Sequence, residues 1–401
     1  MDRTSLSGIL IIMKLEVPGM RFQKLSACLL SAAVVIAGLP TIRASALSAE
    51  EVKAPSAILM EAQTGKILFE KNSHEKRACA SITKIMTLIL VMEAVDSGKI
   101  GLNDMVSVSK HAASMGGSQI WLKEGETMSV DDLLKATVIA SANDCSVALG
   151  EYVAGSEEEF VAQMNQKAQQ LGMKDTTFKN CYGLDEDGHL TSANDIAIMS
   201  RELIKHKKIF DYTKTWMDTL RGGKTQLVNT NKLLKTYKGI TGLKTGTTGK
   251  AGSCMAATAE RDGVQLIAVV LGCSDTKTRF SASAALLDYG FANYSVTKPS
   301  IPPEATAPVP VRNGMQSQVE TTVDSSTSIL VPKGKGGNVK YSVTINQNIT
   351  APVKKGQALG KVSCSLDGTP LQEFTIRAKT SVEPITFTAA FRLLLKKLLM
   401  V

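Results

Sequence analysis

Ala80-Ser81-Ile82-Thr83-Lys84-Ile85-Met86-Thr87-Leu88-Ile89-Leu90-Val91-Met92 sets a serine and a lysine three residues apart at the head of an apolar run. On a helix, positions i and i+3 share a face, so the Ser81 hydroxyl and the Lys84 amine come within proton-transfer distance. Such a pair makes an activated nucleophile. Nearly every side chain over residues 82–95 is apolar, and a helix that is hydrophobic all round belongs inside a protein. Lys84 is therefore carried into the interior, where burial disfavours the ammonium and lowers its pKa towards what a general base needs near neutral pH. Ser81 falls in the first turn of the expected helix, where free N–H groups and the helix dipole favour a developing oxyanion. The plainer reading makes Ser81 a cap and Lys84 a snorkelling side chain.

The chain around this stretch is long enough for two or three domains, with 401 residues of which 44% are hydrophobic. Its formal charge of +9 suits an anionic surface, yet the basic residues are scattered and aromatics make up only 5%. Nucleic acid is therefore excluded in favour of a membrane or an acidic polymer. Arg21 and Lys24 precede an apolar stretch over residues 25–39, and Ala44-Ser45-Ala46 has the small-x-small pattern of a cleavage site. Residues 1–46 thus read as an upstream extension, with a natural start at Met20, followed by a secretory signal peptide that sends the protein across the cytoplasmic membrane. Leu25-Ser26-Ala27-Cys28 is not read as a lipoprotein box, because no apolar core precedes it. Cleavage leaves Cys79, Cys145, Cys181, Cys254, Cys273 and Cys364, widely spaced singletons that read as buried thiols and not as a disulfide framework. His74, His111, His189 and His206 never stand at metal-ligand spacing, so no metal site is expected.

Along the mature chain, apolar runs at 57–60 and 67–69 flank Gln63-Thr64-Gly65 and read as a hairpin. The helix from Ser81 stops near Ser97 at Gly98. Residues 104–172 look mostly helical, with 130–150 and 160–171 the clearest segments, and Ser192 and Asp195 have capping-box spacing for a further helix. After Lys244 the pattern turns to strands at 253–259 and 264–271, joined by Arg261-Asp262-Gly263, and a helix over 280–294 follows. The expectation is an α+β domain over residues 47–295, with one antiparallel sheet built from both ends of the segment and helices inserted between. Five prolines within residues 299–310 mark the next boundary. Beyond it Val339, Tyr341, Val343 and Ile345 alternate with polar residues, as in a small all-β domain over 296–383. In residues 384–401, Phe387, Phe391, Leu394, Leu395 and Leu398 share one helical face, with Arg392, Lys396 and Lys397 towards the other. This is a poor bilayer span but a good interfacial helix, expected to attach the protein peripherally to a membrane.

Two further stretches answer the first. Ser141-Ala142-Asn143 follows the helical run at 136–140, and Lys244-Thr245-Gly246 follows Gly242 and leads into strands. Alone, the first reads as a helix end with a turn, and the second as a loop before a strand. Ser-x-x-Lys, Ser-x-Asn and Lys-Thr-Gly, in that order, resemble the motif set of class A β-lactamases and penicillin-binding proteins. The flanks narrow it. Ala80 to Thr87, Ser141-Ala142-Asn143-Asp144, Phe178, Asn180, Gly183-Leu184, His189 with Ser192-Ala193, and Gly242 to Gly246 resemble the low-molecular-weight penicillin-binding proteins that are D-Ala-D-Ala carboxypeptidases, peptidase family S11. Two departures are Cys79 in place of the usual proline and Thr241 in place of a common acidic residue. Neither touches a reacting group.

The resemblance implies a β-lactamase/penicillin-binding-protein-like fold and a serine-type carboxypeptidase that removes the terminal D-alanine of peptidoglycan pentapeptide stems. It implies that Ser81 attacks the carbonyl between the two D-alanines while neutral Lys84 takes its proton. The N–H groups of Ser81 and Thr247 would form the oxyanion hole. Ser141 would relay a proton to the departing D-alanine, and Asn143 would bond the peptide. Lys244 would add positive potential, and Thr245, followed by Gly246, would hold the terminal carboxylate. β-Lactam antibiotics would acylate Ser81, and no cofactor is implied. His189, Asn180 and Gly183 read as scaffold. The nearest rival is a β-lactamase, but no Glu-x-x-Leu-Asn segment lies between Asn143 and Lys244, and Glu157-Glu158-Glu159 leads into an ordinary helix. A catalytically idle wall-binding scaffold would have lost the serine or the lysine, and a transpeptidase would pass the acyl group to an amine.

Overall fold

A computed structural model describes residues 47–399. The signal-peptide features at Arg21, Lys24, Cys28 and Ala44-Ser45-Ala46 lie outside the described residues.

The hairpin read at residues 57–69 forms as strands β1 (Ser56–Glu61) and β2 (Ile67–Lys71). Late in the same region β3 (Ile240–Thr248), β4 (Gly252–Arg261) and β5 (Val264–Cys273) return to complete one antiparallel sheet of order β2-β1-β5-β4-β3. The expectation of a sheet built from both ends is thus met. Side chains alternate across it, as strand geometry demands. Ile58, Met60, Ala256, Ile267 and Val269 face the helices inserted between β2 and β3. Leu59, Ala257, Leu266, Ala268 and Val270 face the opposite way. With both faces covered, the central strands read as unbroken apolar runs.

The longer inserted helices are α1 (Lys84–Asp96), α2 (Val130–Lys135), α3 (Asn143–Ala154), α4 (Glu157–Gln170) and α5 (Ala193–Leu203), with short helical turns at Lys110–Ala113, Ile209–Thr213 and Leu233–Thr236. On the other face lies α6 (Thr276–Asn293), capped by Asp275 and burying Leu286, Leu287 and Phe291. Gly98, at φ +73°, stops the chain just past α1, as expected. The Ser192 hydroxyl caps α5 by accepting from Asp195 N at 3.2 Å, but the Asp195 carboxylate accepts from Asp175 N and Thr176 Oγ1, both at 2.8 Å, so only half of the capping box forms.

Three local expectations are corrected. Ser81 is not in the first turn of α1: Ala80–Thr83 form a 3-10 turn and α1 begins at Lys84. The turn is tightened by Thr83 Oγ1 donating to Ala80 O at 2.9 Å, with Ala80 held at φ +51°. The helix read over 130–150 is broken, because a π-type turn at Ala136–Ala140 ends on Ser141 in the left-handed region (φ +63°) and Ala142 is extended. Ser141 and Asn143, on an unbroken helix, would point roughly 200° apart. Lys244-Thr245-Gly246 is not a loop before a strand but lies within β3, where Lys244 pairs with Ala256 and Gly246 with Cys254.

Beyond α6 the chain is all-β up to the tail. Tyr294–Thr297 pairs with Ile329–Pro332, and a four-stranded sheet joins Thr321–Val323, Thr369–Ala378, Ala358–Leu366 and Lys340–Ile345 in that order. Val362, Cys364, Phe374 and Ile376 fill its core. The tail forms α7 (Phe387–Leu398), which leaves Phe387, Phe391, Leu394 and Leu398 exposed. No helix among the described residues is long and apolar enough to cross a membrane. All six cysteines after residue 46 are free and buried.

Candidate active site

The break after α2 brings the three motifs together. Asn143 opens α3 and reaches Lys84 at the start of α1, while Ser141, just before it, reaches Lys244 on β3. Lys84 is fully buried, and its Nζ lies 3.1 Å from Ser81 Oγ. The same nitrogen donates to Asn143 Oδ1 at 2.6 Å and to Tyr182 O at 2.7 Å. Burial pulls its pKa down to about 7, against the opposing field of the buried Asp144 carboxylate. A neutral amine has two N–H groups and one lone pair. The two N–H groups satisfy Asn143 and Tyr182, which leaves the lone pair for the Ser81 hydroxyl.

Lys244 is the second buried lysine, with Nζ 2.8 Å from Ser141 Oγ and 2.9 Å from Thr245 O. Its pKa falls well below the ordinary range, first through burial and then through the charges of Lys84 and Arg279. Thr245 is buried, and its hydroxyl donates to Thr230 Oγ1 at 2.7 Å, whereas Thr247 is exposed at the mouth. Gly246 is required for close approach. A Cβ there would sit 2.7 Å from Cys79 O and 3.0 Å from Ser81 N, so only glycine lets β3 lie against the nucleophile turn.

Several participants are absent from the motifs. Tyr182 O, which fixes Lys84, belongs to a loop shaped by Asn180, whose Oδ1 accepts from Gly183 N at 2.6 Å. His189 is 4% exposed, with Nε2 2.8 Å from Thr83 Oγ1, and its Nδ1 accepts from Lys179 N at 3.0 Å. Because Thr83 already donates to Ala80 O, the ring carries its proton on Nε2, and burial lowers its pKa to about 4. His189 therefore braces the turn from behind, in keeping with the scaffold reading. Asp185 fastens the same loop to the end of β3 by accepting from Thr248 Oγ1 at 2.6 Å. Arg279, on α6, donates through Nη1 to Gly246 O at 3.0 Å and Thr247 Oγ1 at 2.9 Å, and its buried Nε has no partner. Nothing in the sequence singled it out: Lys277 stands two residues before it, and the helix there was read only from residue 280. Cys79 is inert at ordinary pH, its thiol pushed up to about 12 by burial.

A hydroxyl beside a dehydrated amine, with a second buried serine–lysine pair across the cleft, defines a serine acyl-transfer site of the penicillin-recognising kind. The sequence model of the D-alanyl-D-alanine carboxypeptidase family (peptidase S11) matches residues 43–275, and that of the C-terminal domain of penicillin-binding protein 5 matches residues 301–384. The chain is 47% identical over 339 residues to the D-alanyl-D-alanine carboxypeptidase DacF of Bacillus subtilis strain 168, covering 84% of this chain and 87% of that one. Among solved structures, penicillin-binding protein 5 from Haemophilus influenzae superposes with a TM-score of 0.75 at 31% identity, covering 84% of this chain and all of that one. Penicillin-binding protein D2 from Listeria monocytogenes, solved in an ampicillin-bound form, gives 0.55 at 33% identity, covering 60% of this chain and 98% of that one. The chain belongs to the D-alanyl-D-alanine carboxypeptidase family, the serine peptidases that are penicillin-binding proteins of cell-wall synthesis.

Proposed function

We propose that Ser81 is the nucleophile and Lys84 its base in hydrolysis of the terminal D-Ala-D-Ala bond of a peptidoglycan stem. The observation that carries this is the 3.1 Å approach of a fully buried Lys84 Nζ to Ser81 Oγ, with both N–H groups of the amine already engaged. Ser81 adds to the carbonyl as its proton passes to Lys84, and the N–H groups of Ser81 and Thr247 receive the oxyanion. Collapse expels D-alanine, whose amine takes its proton by way of Ser141, itself polarised by Lys244. Asn143 holds Lys84 and the peptide, and water then cleaves the acyl-enzyme. For the terminal carboxylate, Thr245 would turn from Thr230, and the buried Arg279 with its unpartnered Nε adds a cation next to Thr247. Glu157, the leading acid of the Glu157–Glu159 cluster, accepts from Cys181 N and pairs with His111, so it does not offer a deacylation base. That disfavours the β-lactamase reading. Intact-mass measurement after benzylpenicillin should show one persistent adduct, and D-alanine release from a pentapeptide should vanish in Ser81→Ala. Rapid penicillin turnover without an adduct would favour the lactamase.

The division of labour follows: residues 1–46 direct export, 47–295 carry the reaction, 296–383 form a β-rich module, and 384–401 anchor the protein to the outer face of the cytoplasmic membrane. The support for the anchor is the exposed apolar face of α7 beside Lys396 and Lys397. The protein is expected to cosediment with anionic phosphatidylglycerol vesicles, and truncation after Glu383 to abolish it. Undiminished cosedimentation of the truncated chain would exclude the anchor.

A further inference from the structure

Immediately beside the cleft, the segment after Gly116 and Gly117 is moulded around one buried carboxylate. Asp144 is fully buried, and its Oδ2 accepts from Ile120 N at 3.1 Å and from Leu122 N at 3.0 Å. The backbone curls about that oxygen. Ile120 and Leu122 turn inward at 3% and 4% exposure, while Trp121 is forced out at 72% exposure with φ +57°. A bulky aromatic residue in the left-handed region is a true outlier, and strain of this kind gathers where ligands are held.

Trp121 stands on the rim of a cavity of about 770 Å³, between this segment and the hairpin Met217–Leu220/Thr225–Val228. That volume lies within the range of small-molecule sites. The wall is firm. Arg221, at φ +54°, donates to Glu126 Oε1 and Oε2 at 2.7 and 3.1 Å and to Ile120 O at 2.9 Å, tying the hairpin to the segment. With that pair neutralised, Lys123, Glu124, Lys224 and Gln226 leave donors and acceptors of both signs around one exposed indole. An anion would meet Glu124 and a cation would meet the two lysines. A neutral ring with an apolar C–H face for the indole and hydroxyl and amide groups for the rim fits best.

The cavity is also in reach of the reaction. Ser118 O accepts from Asn143 N at 2.7 Å, and Asn143 bonds Lys84. Trp121 is three residues further on, at most about 10 Å of chain from Ser118. The four residues of a stem upstream of the scissile bond span roughly 13 Å when extended. We propose that the cavity between Trp121 and the Arg221–Gln226 side of the hairpin is a subsite for the N-acetylated amino sugar to which the stem peptide is attached. The proposal rests on the carboxypeptidase reading above, and it assigns Trp121 a part in substrate choice and none in bond cleavage.

The test compares kcat/KM for D-alanine release from a disaccharide-pentapeptide and from the same pentapeptide without sugar. The wild-type protein should favour the sugar-bearing substrate about tenfold, through KM, and Trp121→Ala should bring the ratio to near one. Gln226→Ala, on the opposite wall, should lower the ratio as well, and it serves should Trp121→Ala fail to fold. Equal values for the two substrates in the wild-type protein, or a ratio untouched by both substitutions, would overturn the subsite alone. No D-alanine release from either substrate by the wild-type protein overturns the carboxypeptidase reading and the subsite together.

Discussion

Replacing Lys84 by methionine is expected to slow acylation of Ser81 by benzylpenicillin by about 10⁴-fold, the upper end of what a positioned general base contributes. Methionine keeps most of the volume, so the loss reports the missing base and not a cavity. In the wild-type protein the base is the neutral amine, with a pKa of about 7. Acylation should therefore rise with pH through about 7 and level off above it, and this inflexion should be absent from Lys84→Met. Stability moves in the same direction. The folded protein releases the Lys84 proton near pH 7, the unfolded chain only near 10.5, so between those values the unfolded state binds more protons. Wild-type stability should accordingly rise with pH across that window relative to Lys84→Met. Against this, methionine leaves Asn143 Oδ1 and Tyr182 O without their donor, at about 1–3 kcal/mol each. Stopped-flow acylation from pH 5.5 to 9.5, with thermal melts of both proteins, measures all of these. A variant acylated at the wild-type rate would remove Lys84 from the mechanism.

How far the sequence alone could carry this site depends on which groups announce themselves through side-chain identity. Ser81, Lys84, Ser141, Asn143 and Lys244 do so, because hydroxyl, amine and amide at fixed spacings are chemically specific, and the structure places all five together. Four of the five strands of the sheet were legible for a similar reason, as their apolar runs and the Arg261-Asp262-Gly263 turn are local signals, whereas β3, with Thr, Lys and Gly along it, was not. The break at Ser141 was legible only as one of two readings, since Ser141-Ala142-Asn143 alone suits a helix end with a turn while residues 130–150 as a whole read as one helix. What decides between them is hidden in the tertiary structure: Asn143 N takes Ser118 O as its acceptor, and Ser141 Oγ is held by Lys244. Tyr182 was equally hidden, since it acts through a carbonyl that every residue possesses. Arg279 lies far along the chain on the other face of the sheet, and only the fold brings it to Gly246.

Gly183→Ala is expected to damage both fold and site, because its geometry leaves an alanine no room. Gly183 sits at φ +90°, where an L side chain is strained, and a Cβ built there would lie 2.1 Å from Ala80 O and 2.9 Å from Thr83 Oγ1. The carbonyl cannot withdraw freely, since it already accepts from Thr83 in the turn that presents Ser81. Relief must come from moving the loop, which carries Tyr182 O away from Lys84, or from moving the turn, which carries Ser81 away. A misplacement of about 1 Å is enough to cost on the order of 10²-fold in rate. Backbone strain and overpacking together should remove about 2–4 kcal/mol of stability. Gly188→Ala is the control. It has a similar positive φ of +81°, but its Cβ would meet only Lys179 Cε at 3.4 Å, so strain alone should cost it about 1 kcal/mol and leave acylation near the wild-type rate. Melting curves and penicillin acylation rates for the two variants side by side separate the effects. If Gly183→Ala matched Gly188→Ala in both, the loop would not be holding the nucleophile turn, and Tyr182 O could no longer be credited with fixing the Lys84 amine.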